Sequence, residues 1–287
     1  LEIENPSVPM QTAATVLREE VSKRIGVAWG AEDAPGLPIV MRLAEAGKLP
    51  AEAYRIAFQD RLLLVEGADA RGLLFAAGHL LRKLDIRPGA ASLPDPGGLV
   101  SAPAYPIRGH QLGYRPRANS WDAWTPEQFD QHIRELAIFG ANSIENIPFE
   151  DTDVSPHMKL SRPEMNKKLS EICAKYGLDY WAWTPATFDL RDKAKRAAAL
   201  AEHEAFYADC PRLDGIFFPG GDPGDNDPRE VLPFLADLAP ILAKYHPNAG
   251  IWLSLQGFNK AQVHYFYNWL EKNQPAWLTG LASGPGS

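Results

Sequence analysis

Two short runs of the chain set carboxylates directly behind apolar segments. Glu145 lies near the end of the run Ala141 to Ile147, with Glu150, Asp151 and Asp153 after it; Asp222, Asp225 and Asp227 follow Leu213 to Phe218. A pair of carboxyl groups with unequal proton affinity can cleave a glycosidic bond, one donating a proton to the leaving oxygen and the other remaining charged. Asp222 is the first candidate, because Gly220 and Gly221 let the backbone turn tightly beside it. The same residues also read as a plain turn, with Asp227 capping a helix that opens on Pro228. Glu145 is the candidate partner: a carboxylate at the end of an apolar strand must be paired or functional. The structural alternative is an ion pair with Arg108. Glu150, Asp151 and Asp225 lie on polar loops and are candidates for substrate contact.

Other side chains could complete a sugar cleft. Trp181 and Trp183 alternate and therefore point the same way; Trp252 and Phe218 lie in or at the end of later apolar runs. Flat aromatic faces stack on the C–H face of a pyranose, and Trp183, nearest a strand end, is the one assigned to the site. Trp181 and Trp252 read as core. His110, Tyr114 and Arg115 follow the first apolar run of the second half, with Trp121 and Trp124 as a cleft wall or lid. No metal is expected, because the histidines lack ligand spacing and the Asp222–Asp227 run has Pro233 where a calcium loop needs its closing Glu. No cofactor is expected either: a Gly-x-Gly-x-x-Gly motif is missing, as is the Gly-x-Ser-x-Gly elbow of acyl transfer.

These residues need a frame, and the pattern supplies one. Residues 1–100 read as a small α/β domain. A helix runs over Met10 to Ile25, a hairpin over Glu52 to Glu66 turns at Gln59-Asp60, and a helix over Asp69 to Leu84 is thinned by Gly72 and Gly78 for packing on a sheet. Arg87 to Pro106, rich in Pro, Gly, Ala and Ser, reads as a linker. Residues 101–287 then repeat strand, polar loop and helix, with strands at Ile107–Leu112, Ala141–Ile147, Leu178–Trp183, Leu213–Phe218, Gly250–Leu255 and Trp277–Ala282. Long polar loops follow the strands and short glycine turns precede them, which predicts a TIM-type (β/α) barrel rather than an open sheet. Six strands are counted where a barrel has eight, so the chain is expected to be an incomplete barrel, shorter than its natural protein.

The stretch AEAYRIAFQDRLLLVEGADARGLLFAAGHLLRKL, leading to Ile107-Arg108-Gly109, resembles the N-terminal domain and barrel opening of family 20 β-hexosaminidases and family 67 α-glucuronidases. Gly220-Gly221-Asp222 is similar to the hexosaminidase Gly-Gly-Asp-Glu. In that family the Asp orients the substrate's acetamido group and the following Glu is the general acid; here Pro223 stands in the acid's place. The family's His-x-His-x-x-Asp is replaced by Glu145 to Asp151. The resemblance implies a glycoside hydrolase with rearranged carboxylates, in a periplasmic or secreted setting.

Composition narrows the partners. A formal net charge of −7, with scattered Lys and Arg, argues against nucleic acid. No apolar run is long enough for a membrane span. Cys173 and Cys210 read as buried, unpaired thiols. A carbohydrate substrate is the expected partner; oligomeric state is not encoded in any readable way. Two alternatives stand beside hydrolysis: a non-catalytic carbohydrate-binding barrel, made credible by Pro223, and a uronic-acid polysaccharide lyase, using Tyr114, Arg115 and His110.

Overall fold

The computed structural model describes residues 1–30, 36–95, 97–112, 124–146 and 160–283. The chain forms two compact units: Leu1–His110 with Gln128–Ser143 and Ile172–Leu178, and Gln111–Glu127 with Ile144–Glu171 and Asp179–Ser287. In chain order the first strands and helices are β1 (Glu2–Ile3), α1 (Val8–Ile25), β2 (Ile39–Leu43), β3 (Tyr54–Gln59), β4 (Leu62–Gly67), α2 (Ala70–Lys83), β5 (Asp85–Arg87), β6 (Ala90–Ser92) and β7 (Leu99–Ser101). They build a five-stranded sheet of order β1-β2-β4-β3-β7. Met41, Ile56, Leu63 and Val65 of the sheet are buried, as are Leu17 and Val21 of α1 and Leu73 and Leu80 of α2.

The expected hairpin forms between β3 and β4, with Tyr54 opposite Gly67 and Gln59 opposite Leu62. Its turn is centred on Asp60 and Arg61, both at positive φ, one residue later than expected. Five strands escape the sequence reading: β1, β2, the antiparallel β5–β6 pair and β7. β2 is a five-residue run between Pro38 and polar residues, and β7 lies inside the presumed linker, where it pairs antiparallel with β3. Three residues are too few to display alternation, so composition hid β7. Gly72 serves close packing on the sheet as expected, where a Cβ would stand 3.3 Å from the Gly67 Cα at the end of β4, whereas Gly78 packs against Ile138 instead. A Cβ at Gly72 would stand 2.3 Å from the Ala53 carbonyl oxygen, and one at Gly78 would stand 2.1 Å from that of Ile138.

The remaining elements are β8 (Gly109–Gln111), α3 (Pro126–Ile138), β9 (Ser143–Asn146), α4 (Arg162–Tyr176), β10 (Asp179–Trp183), α5 (Lys193–Asp209), β11 (Gly215–Phe218), α6 (Pro228–Tyr245), β12 (Gly250–Ser254), α7 (Lys260–Asn273) and β13 (Leu278–Ala282). Their sheet follows chain order, β8-β9-β10-β11-β12-β13, and its β10–β11, β11–β12 and β12–β13 pairs are parallel. An open doubly wound sheet reverses its order partway; unbroken sequential order is that of a (β/α) barrel wall. The helices begin and end as their sequences dictate. Asp192, Asp227 and Asn259 cap α5, α6 and α7 with their side chains, and Gly140 and Gly177 take positive φ behind α3 and α4. Cys173 and Cys210 are buried, and neither is in a disulfide.

One carboxylate organises the start of three strands. Glu52 accepts from Arg108 Nη2 at 2.7 Å, Arg71 Nη1 at 2.9 Å and Asn142 Nδ2 at 3.0 Å. Arg71 Nε donates to the Gly177 carbonyl, and Arg108 Nε to that of Gly140. Arg108, Asn142 and Gly177 immediately or nearly precede β8, β9 and β10. Asp69 holds the left-handed backbone of Glu52 (φ 61°) by accepting from its N–H, while its other oxygen caps α2. Burial alone would raise the Glu52 proton affinity, but the bonds from Asn142, Arg71 and Arg108 outweigh it and hold the carboxyl below its ordinary value. The stabilisation is therefore present above the unfolded value of 4.5 and is lost as pH falls through the depressed folded value. Glu52→Ala, which leaves two guanidinium groups without their shared partner, is expected to lose about 3 kcal/mol in urea unfolding at pH 7. A loss under about 0.5 kcal/mol would contradict this assignment.

Candidate active site at the strand ends

Hydrogen bonds and alternation assign the two faces of the six-stranded sheet. Asn146 Nδ2 donates to Asn166 of α4 at 2.9 Å, and Tyr180 Oη donates to the same Asn166 oxygen at 2.8 Å. Phe218 packs on Phe234 of α6, ring centroids 6.1 Å apart. Ile144, Asn146, Tyr180, Ala182, Ile216, Phe218, Ile251 and Leu253 therefore face the helices, and all are buried. Period-two alternation puts Glu145, Trp181, Trp183, Phe217 and Trp252 on the opposite face, all half-buried. Trp181 and Trp252 lie 5.5 Å apart between centroids. Each sits over a glycine of the next strand: a Cβ at Gly215 would meet Trp181 at 2.9 Å, and one at Gly280 would meet Trp252 at 2.5 Å. Glycine at these two positions is what lets the indoles lie flat on the sheet.

This alters the aromatic assignments. Trp183 stands on the open face as expected, in register with Phe217. Phe218 belongs to the helix-side core, and Phe217 takes its place; counting by two from Gly215 finds this. Trp181 and Trp252, read as core, are half-buried members of the same open face.

Glu145 accepts a 2.8 Å hydrogen bond from Gln111 Nε2 at the end of β8. Its expected structural partner, Arg108, is instead committed to Glu52. Burial pushes the Glu145 carboxyl up to about 7, against a smaller downward pull from Gln111. The group is thus about half protonated near pH 7, within the range a general acid needs.

Asp222 is exposed on the loop after β11, and Gln256 Nε2, just past β12, donates to its Oδ2 at 2.6 Å. Glycine makes this closeness possible. At Gly220 (φ 83°) a Cβ would stand 2.6 Å from the Ser254 carbonyl oxygen, and at Gly257 (φ 79°) 2.9 Å from the Asp222 nitrogen. The buried Asn226 braces the same loop from the other side. Its Oδ1 accepts from Leu190 N–H at 2.9 Å, and its Nδ2 donates to the Phe188 carbonyl at 2.9 Å and to that of Ala186 at 3.2 Å. The loops after β10, β11 and β12 are thereby tied together. Asp227 is the N-cap of α6, as the turn reading expects, and Asp225 is exposed at a left-handed position.

His110 alternates with Gln111 and so points to the other side of β8, where it meets His132 of α3 edge-on at 5.6 Å. Tyr114, Arg115, Trp121, Glu150, Asp151 and Asp153 lie outside the described residues. Sequence reasoning missed Gln111, Gln256, Asn226 and Phe217. The amides carry no motif, and only the pairing of strand ends reveals what they hold.

No protein-family model matches the chain, and no curated protein does. Solved structures do match its fold. A Streptomyces plicatus β-hexosaminidase mutant in complex with its product GlcNAc superposes with a TM-score of 0.70 at 13% identity, over 98% of this chain and 69% of that one. A GH20 exo-β-N-acetylglucosaminidase mutant from Vibrio harveyi gives 0.65 at 11% identity, over 88% and 51%. A GH138 enzyme targeting pectin rhamnogalacturonan II gives 0.70 at 13% identity, over 98% and 37%. The chain thus spans between 37% and 69% of the length of these neighbours. At such identities the likeness establishes a mixed α/β architecture similar to that of GH20 barrel enzymes, and the chemistry rests on the residues.

The raised Glu145 value carries a sign that can be tested without any substrate. A folded value near 7 against an unfolded 4.5 stabilises the protein below pH 4.5, and that contribution is lost as pH rises through 7. Stability should fall across this interval with a slope of up to about 1 kcal/mol per pH unit, less where water screens the group. Glu145→Gln should flatten that slope; an unchanged slope would show that Glu145 ionises at its ordinary value.

Proposed function

We propose that the chain carries the site of a glycoside hydrolase acting on a pyranoside, with Glu145 as proton donor and Asp222 as the second carboxylate. The observation that carries this reading is Glu145 itself: a half-buried acid with a value near 7, at a strand end, on the face that also presents Trp183, Phe217 and Trp252. The indoles offer flat apolar surface for the C–H face of a sugar. Glu145, protonated, would donate to the glycosidic oxygen as the C–O bond breaks, and would regain a proton from the incoming nucleophile. Asp222 would orient that nucleophile and balance the positive charge developing at the anomeric carbon. β9 and β11 are next-but-one neighbours, so their axes stand roughly 10 Å apart. That span suits attack by water or by a group of the substrate better than attack by Asp222 itself, which needs carboxyls about 5–5.5 Å apart.

Carbohydrate chemistry is further supported by the neighbours, which are named as hexosaminidases and a pectin-targeting enzyme. Tyr114, Arg115, Glu150 and Asp151, which follow β8 and β9 in sequence, remain proposed substrate contacts, with Asp225 more peripheral; His110, turned toward His132, is not among them. A second reading rests on Pro223, which follows Asp222 where the hexosaminidase pattern has its acid: a barrel that binds carbohydrate without cleaving it.

A panel of aryl N-acetylhexosaminides, hexosides and uronides separates the two. Hydrolysis should appear with one of them, and Glu145→Gln should lower its turnover by about 100- to 10,000-fold while the unfolding midpoint at pH 7 holds or rises. Asp222→Asn should lower turnover at an unchanged fold. Full activity in Glu145→Gln would remove it as the acid, and sugar binding without product from any substrate would leave the binding barrel.

A further inference from the structure

Resting on that reading of the site, we infer that Gln111 is a positioning residue for Glu145: its side-chain amide occupies one carboxyl oxygen and leaves the other to carry the proton toward the ligand. The geometry is local and specific. Gln111 is the last residue of β8 and Glu145 the penultimate residue of β9; the Leu112 N–H donates to the Glu145 carbonyl at 2.9 Å, so the backbones are locked beside the side-chain bond. Gln111 Nε2 then donates to Oε2 at 2.8 Å. A carboxylic acid whose Oε2 is accepting an N–H holds its proton on Oε1. An amide suits this task because it neither titrates nor brings charge: a lysine or arginine in its place would favour ionised Glu145 and empty the acid of its proton.

Asp222 shows the same arrangement, with Gln256 from the neighbouring strand end on one oxygen. The Glu145 bond works against burial, drawing down a carboxyl that burial raises. Gln111 thereby limits how far the acid is pushed and keeps it able to give up its proton.

Among the described residues, the other titratable groups on the flanking strands do not face Glu145. His110 of β8 points to the opposite side, toward His132. Tyr180 of β10 is on the helix side, bonded to Asn166. Asp179, at the far end of β10, pairs with Arg212. From α4, Asn166 approaches only the helix side, through Asn146.

The test needs no substrate. Unfolding by urea is followed from pH 5 to 9 for the wild type, Gln111→Met, Glu145→Gln and the double variant. Gln111→Met keeps length and removes the donor, so the region of falling stability should extend about one pH unit higher. In the Glu145→Gln background Gln111→Met should move nothing. A descending region that stays in place in Gln111→Met, or that shifts equally without Glu145, overturns the assignment. If Gln111→Met fails to fold, Gln111→Asn, whose shorter amide cannot reach, should give the same upward shift. Where an active substrate is in hand, the alkaline limb of kcat/KM should move upward with the same variant, since the acid works only while protonated. Failure of hydrolysis would leave the titration result standing, whereas activity with an unmoved titration would sink only the role of Gln111.

Discussion

The carboxylate of Glu52 is the constraint on which the strand starts depend. It receives Arg108, Arg71 and Asn142 at once, and through them it fixes the residues just ahead of β8, β9 and β10. A half-solvated surface pair would contribute little. Glu52, with its side chain only 12% exposed, instead receives two guanidinium groups and an amide that also hold backbone carbonyls, so its loss would unbalance the whole cluster. The conformation that aims it is itself held, since Asp69 clamps the left-handed backbone of residue 52 while capping α2. A cap, a turn and three strand origins are thus parts of one hydrogen-bonded cluster.

From those origins the strands follow one another in chain order across a single sheet, and each sheet face has a separate task. The helix side carries the buried Asn146–Asn166–Tyr180 group, whose hydrogen bonds fix which way β9 turns its residues. The opposite face collects half-buried aromatics, with Gly215 and Gly280 giving the indoles room. Glu145 belongs to this second face, which is why its carboxyl is partly desolvated and its proton retained. Asp222 is placed by a different route, on a loop folded against the β12 loop through glycines that tolerate no side chain.

Much of the frame was legible because it is periodic. The strand–loop–helix repeat located every strand from β8 to β13 within a few residues, and the cap at Asp227 marked a helix start. What remained hidden was short or non-local. β7 has three residues in a glycine- and proline-rich stretch, and only its pairing with β3 makes it a strand. Arg108 was a plausible partner for Glu145 by proximity in the pattern; Glu52, 56 residues away in sequence, takes it instead. Phe217 and Phe218 are adjacent, and assigning their faces needs the register against Trp183. Gln111 and Gln256 carry no signature, because an amide matters only through the carboxylate it meets.

The central claim is that the open face of the barrel sheet, at its strand ends, receives a sugar ring against Trp183 and its neighbours. Saturation-transfer NMR with methyl glycosides of N-acetylhexosamines, hexoses and hexuronic acids measures this most directly. The account predicts saturation of ring C–H protons by the wild type for at least one glycoside, and its loss in Trp183→Ala with the fold retained. No transfer to any glycoside, or transfer undiminished in Trp183→Ala, would contradict it.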